Sequence, residues 1–179
     1  MLMHVNAKKM AFSGLLLALT VILVVLSGVF DFNTLFLLAA ASFLVGVIIR
    51  EFGLKYGIAF YIAAAILGFL AAPNKLYCIT FSLMSLYVLL AEVAFILIGR
   101  MNTNKNRKVI FWAVKFVVFN IIYVPMLFAF PKLLFAGELS RGFIIGALLI
   151  GQVVLVIYDK AYDYFQAAIW NKFRKYIQS

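Results

Sequence analysis

Side chains able to do covalent chemistry are scarce in this chain. It has one cysteine, Cys78, which excludes an intrachain disulfide, and one histidine, His4, too few for the His/Cys spacing of a zinc site. A Ser–His–Asp arrangement would have to recruit its base from the N-terminal tail. No glycine-rich phosphate loop appears, because Gly142, Gly146 and Gly151 lie in an apolar run. Charged residues make up only 12 %, and six of them are acidic. The one close pair of carboxylates, Asp159 and Asp163, stands a helical turn apart among basic residues and reads as solvated ion-pair partners. Neither an enzyme nor a cofactor or metal site is expected.

What fills the chain instead is hydrocarbon. Hydrophobic residues account for 67 % and the mean hydropathy is +1.12, outside the range of soluble domains. A bilayer core about 30 Å thick takes roughly 20 apolar residues per helix. Six runs approach that length: Met10–Val29, Thr34–Ile49, Gly57–Ala72, Leu76–Gly99, Val109–Phe130 and Phe143–Tyr158. Backbone groups in lipid must bond within their own segment, which favours helices, and the alternating polarity of barrel strands is missing. The expected fold is an all-α integral membrane protein, a six-transmembrane-helix bundle. The second, third and sixth runs are short; they borrow flanking residues, or one pair is re-entrant. The first run, after Lys8 and Lys9, is too long for a signal peptide and is expected to be retained.

The basic residues alternate along the chain. Lys8, Lys9, Arg50, Lys55, Arg100, Lys105, Arg107, Lys108, Lys160, Lys172, Arg174 and Lys175 fall on one side of the runs, and Lys75, Lys132 and Arg141 on the other. The positive-inside rule puts the richer side, with both termini, in the cytoplasm, a multi-pass arrangement in the cell membrane. The net charge of +10 is accounted for as a topology signal that also suits anionic headgroups, with no nucleic acid required. The chain divides at 158/159. Residues 1–158 form the membrane domain, and in 159–179 Ala161, Phe165, Ala168, Ile169, Phe173 and Tyr176 recur at helical spacing. That tail reads as an amphipathic interfacial helix anchored by Trp170, as a plain continuation of the sixth span, or as a docking element for a protein.

Polar groups inside the spans carry most of the remaining information, since burying them in hydrocarbon is costly. Glu92 lies eight residues before Arg100, about 12 Å in, and Lys115 seven residues after Lys108, about 10 Å in from the same side. Matching depth predicts an intramembrane ion pair between them, either a helix pin or part of a substrate or proton path; Lys115 alone could also snorkel. Asn120 and Gln152 reach similar depth near the midplane, where amides hydrogen-bond across helices. Pro125 should kink the fifth span above Asn120. A pocket between the outer ends of spans four to six, with Asn120, Tyr123, Gln152 and Tyr87, is the candidate binding site for a small molecule. Small residues at Ala11, Gly14 and Ala18 in the first span permit close helix contact, within the chain or with a partner membrane protein.

In layout, with Lys8–Lys9 before a first span that carries Gly14 and Ala18 four apart, the chain resembles the substrate-binding S components of energy-coupling-factor transporters. The turn Phe52-Gly53-Leu54-Lys55-Tyr56-Gly57 is similar to the glycine-bearing second joint of that family. The resemblance implies small-solute (vitamin-like) uptake, with the Ala11, Gly14 and Ala18 face contacting a coupling subunit that carries partner ATPases. The chain is also similar in size and layout to MreD, a membrane scaffold that binds other membrane proteins and no substrate. A self-contained channel or proton-linked carrier using Glu92 and Lys115 is a third reading.

Overall fold

Each apolar run becomes a helix. The computed structural model describes residues 2–30, 33–100, 107–129, 141–172 and 174. Among the described residues there are six α-helices, α1 (Leu2–Ser27), α2 (Thr34–Phe52), α3 (Leu54–Ala71), α4 (Lys75–Arg100), α5 (Arg107–Ala129) and α6 (Arg141–Tyr164), and no strand. Five helices, α1 to α5, are long and apolar enough to cross a membrane. The short runs do borrow their flanks: α2 extends to Phe52, α3 begins at Leu54, and α6 has 24 residues. Pro125 lies inside α5, and the helix continues past it to Ala129. Lys105, Lys132 and Lys175 of the charge pattern, and Phe173 and Tyr176 of the tail, lie outside the described residues.

The chain forms two compact units, residues 1–96 and 97–179. In the first, α1, α2 and α3 pack on one another, and residues 41–49 of α2 are buried without interruption. Helices that are apolar on every side gain their packing from close van der Waals contact and hydrogen bonds, which favours small residues. Ala41, Ser42 and Gly46 meet that need in α2, as do Ala64 and Gly68 in α3. A Cβ at Gly68 would stand 3.5 Å from Cys78 Sγ on α4 and 3.6 Å from Val24 on α1, so three helices converge there. The hydroxyls of Thr20, Ser27 and Ser42 bond back to carbonyls of their own helix at 2.6–2.8 Å, so each buried hydroxyl has a partner.

Only Gly53 separates α2 from α3. Its φ of +94° with ψ of 169° is a conformation open essentially to glycine alone. The Gly53 N–H closes α2 on the Ile49 carbonyl at 2.9 Å, and the Gly57 N–H bonds the Gly53 carbonyl at 3.1 Å. A side chain at Gly57 would overlap Ile49. The two glycines therefore do different work, one bending the backbone and the other admitting a neighbour. At this turn Phe52 packs edge to face on Phe12 of α1 and on Tyr56, with Lys9 over the Phe52 ring at 5.9 Å.

In the second unit α5 and α6 run antiparallel, with 115 facing 159, 120 facing 152 and 123 facing 147. The 158/159 boundary expected from the sequence falls inside α6, which runs to Tyr164 and continues as a π-helix over Phe165–Trp170. The buried stripe also differs from the expected apolar one. Ala147, Gly151, Leu155, Asp159, Tyr162, Gln166 and Trp170 are buried at spacings of three and four, while Ala161 is exposed and Phe165 half-buried. Trp170, expected as an interfacial anchor, is buried in this stripe. Polar Asp159 and Gln166 turn toward protein, while apolar Leu149, Ile150, Val153 and Ile157 of α6 face outward.

Candidate functional site

The polar residues singled out in the spans gather into three clusters. In the first unit Arg50, near the end of α2, donates from Nε at 2.9 Å and Nη2 at 2.5 Å to Glu92 Oε1 on α4. The Glu92 side chain is 5 % exposed and that of Arg50 is 38 % exposed, so the guanidinium reaches inward from a partly open position to meet a buried carboxylate.

In the second unit Lys115 Nζ lies 2.6 Å from Asp159 Oδ1, both side chains being nearly inaccessible at 3 % and 2 %. Asp163, one turn further and 59 % exposed, stands 3.9 Å from the same ammonium. The rings of Phe111 and Trp112 face it at 4.2 and 5.8 Å. Aromatic faces attract a cation and exclude water, so they strengthen the hold of Asp159. The expected Glu92–Lys115 pair is thus replaced by two pairs, Arg50–Glu92 and Lys115–Asp159. Equal depth is one coordinate only; the helix neighbour and the face decide the partner.

Two turns deeper, Gln152 Nε2 donates to Asn120 Oδ1 at 3.0 Å and Asn120 Nδ2 to Gln152 Oε1 at 3.3 Å. The Asn120 amide also bonds the Phe116 carbonyl at 2.8 Å. Tyr123 stacks on Phe119 and donates its hydroxyl to the Ala147 carbonyl at 2.8 Å. Gly151 admits the Tyr123 ring, since a Cβ there would stand 2.5–2.8 Å from it. Three of the four candidate ligand residues are therefore brought together, and they are engaged with each other and with the α6 backbone. The fourth, Tyr87, is buried in α4 of the first unit.

The face at Ala11, Gly14 and Ala18 is exposed, with no atom within 4 Å of a Cβ placed on Gly14. The opposite stripe of α1, Leu16, Thr20, Val24 and Ser27, is buried. Among the described residues no three His, Cys, Asp or Glu side chains are grouped to hold a metal ion. Sequence reasoning overlooked Arg50 and Asp159 as partners. Extending the Asn120–Gln152 register two turns toward the basic end would have found Asp159.

Comparison with protein-family profiles, with curated proteins and with solved structures returns no match to this chain.

Proposed function

We propose that this chain is a multi-pass cell-membrane subunit that works by association, docking another membrane protein along the small-residue face of α1. In this reading α6 is a sixth span and both termini are cytoplasmic. The observation that carries the proposal is the division of α1 into two stripes. Leu16, Thr20, Val24 and Ser27 are buried within the chain, while Ala11, Gly14 and Ala18 lie open between exposed Met10, Leu15 and Leu19. A shallow small-residue groove between larger side chains is the surface on which a second helix packs closely in lipid. The polar side chains deep in the helices support association over solute capture, because Asn120, Gln152 and Tyr123 already bond one another's helices.

Replacing Gly14 and Ala18 together by leucine should leave the protein inserted and thermally stable while abolishing co-purification of its partner from native membranes. Retention of the same partner by the variant refutes the docking face. Single cysteines at positions 55 and 107, in a Cys78→Ala background, should resist a membrane-impermeant thiol reagent, and one at position 75 should react.

A second reading, the solute-binding subunit of an uptake system, draws on the same α1 face, since the resembling S components meet their coupling subunit there. Recovery of an ATP-hydrolysing module with the chain favours uptake; recovery of other membrane proteins without one favours a scaffold.

A further inference from the structure

The contact between α3 and α4 leaves a cleft down the side of the first unit. Ala65, Ile66 and Phe69 of α3 and Cys78, Ile79 and Leu83 of α4 line a space of about 410 Å³. The cleft exists because the two helices touch through small groups. The Cys78 thiol donates to the Ala65 carbonyl at 3.6 Å, and Gly68 packs beside the same sulfur. Its wall offers little to a polar solute, since the Ser82 hydroxyl, also in the cleft, bonds back to the Cys78 carbonyl at 2.8 Å. Ile66 and Phe69 on its rim are exposed, so it opens sideways. A hydrocarbon chain fits that chemistry.

The end of the cleft is charged. Lys75 lies one turn before Ile79 and two before Leu83, on the face of α4 that lines the space. Its ammonium caps the end of α3, donating to the Phe69 carbonyl at 2.5 Å and the Ala72 carbonyl at 3.0 Å, and lies 5.1 Å from the Phe69 ring centre. An ammonium has three donors, so one remains on this exposed side chain. Asn74 Oδ1 caps the Leu76 N–H at 3.0 Å, and the other amides of the first turn of α4 add partial positive charge. From Tyr56 to Ala91 Lys75 is the one charged residue, and Glu92, more than four turns further along α4, is paired with Arg50.

We propose that this cleft binds one anionic phospholipid, with an acyl chain lying against Ala65 and Cys78 and the phosphate held by Lys75 and the amino end of α4. Charge complementarity selects the anionic headgroup, and the apolar wall selects the chain. The inference rests on α3 and α4 being membrane spans and is independent of docking at α1.

The test is native mass spectrometry of the full chain, purified in detergent and titrated with phosphatidylglycerol or phosphatidylcholine of matched chains. The wild type should retain one phosphatidylglycerol with about fivefold preference, the factor expected from one basic residue near the headgroups. Lys75→Gln keeps amide donors for the α3 carbonyls and removes the charge, so the preference should fall to about one, while Lys75→Arg should retain it. Ala65→Trp fills the cleft and should reduce retention of both lipids. Ile79→Trp, on the other wall, gives the same reading if the first variant does not fold. Equal retention of the two lipids by the wild type, an unchanged preference in Lys75→Gln, or undiminished binding in both cleft-filling variants would overturn the proposal. Recovery of the wild type from cell lysates as a soluble protein without detergent would instead remove the membrane premise.

Discussion

Replacing Lys115 by methionine removes the ammonium from the most deeply enclosed ion pair and keeps most of the aliphatic bulk beneath Phe111 and Trp112. Asp159 would then remain a carboxylate at 2 % exposure, with a second carboxylate, Asp163, one turn further along its helix. Removing one partner of a buried pair costs about 3–5 kcal/mol, because the remaining charge has lost its counter-ion without regaining water. Removing both costs far less, so Lys115→Met with Asp159→Leu should recover most of that loss. The coupling between the two sites should lie near the upper end of the roughly 0.5–3 kcal/mol found for residues in contact. Trp112 and Trp170 are the only tryptophans and both belong to the second unit, so their fluorescence during denaturant titration in micelles reports on that unit directly. A loss below about 1 kcal/mol in the single variant, or a double variant as damaged as the sum of the singles, would refute the claim that this pair holds α5 to α6.

The Arg50–Glu92 pair should respond asymmetrically. Arg50→Met leaves a buried carboxylate and should lower stability by about 3 kcal/mol or more, whereas Glu92→Gln leaves a partly hydrated guanidinium and should cost under about 1 kcal/mol, both read from thermal midpoints in detergent. At the α2–α3 turn, Gly57→Ala should cost about 1–3 kcal/mol by overlapping Ile49. Combining it with Ile49→Ala should be less damaging than the two losses added together, since each change makes room for the other; simple additivity in a thermal-shift series would count against that contact.

How much of this was legible beforehand differs from element to element. The helices were, because a run of apolar residues about 20 long has few other places to go. The Asn120–Gln152 bond was legible too, since two amides at one depth on neighbouring spans have few alternative partners. The charged partners were not. Glu92 and Lys115 share a depth, yet Arg50 and Asp159 claim them, and Asp159 had been read as solvated because it follows the last apolar run. The tail misled for a related reason. Its apolar positions define one stripe in the sequence, open to lipid or to a partner, while in the structure Asp159, Tyr162, Gln166 and Trp170 are the buried set.

Composition and run length alone determined that this chain is helical, with segments long and apolar enough to cross a membrane, because a backbone without water must bond to itself and each segment does so independently of its neighbours. Which side chains meet was decided by tertiary structure, because helix azimuth, the one-residue turn at Gly53 and the register of α5 against α6 are properties of pairs of helices. Those pairings turn charges scattered among apolar helices into two ion pairs, and they leave one stripe of α1 open beside a stripe that is filled.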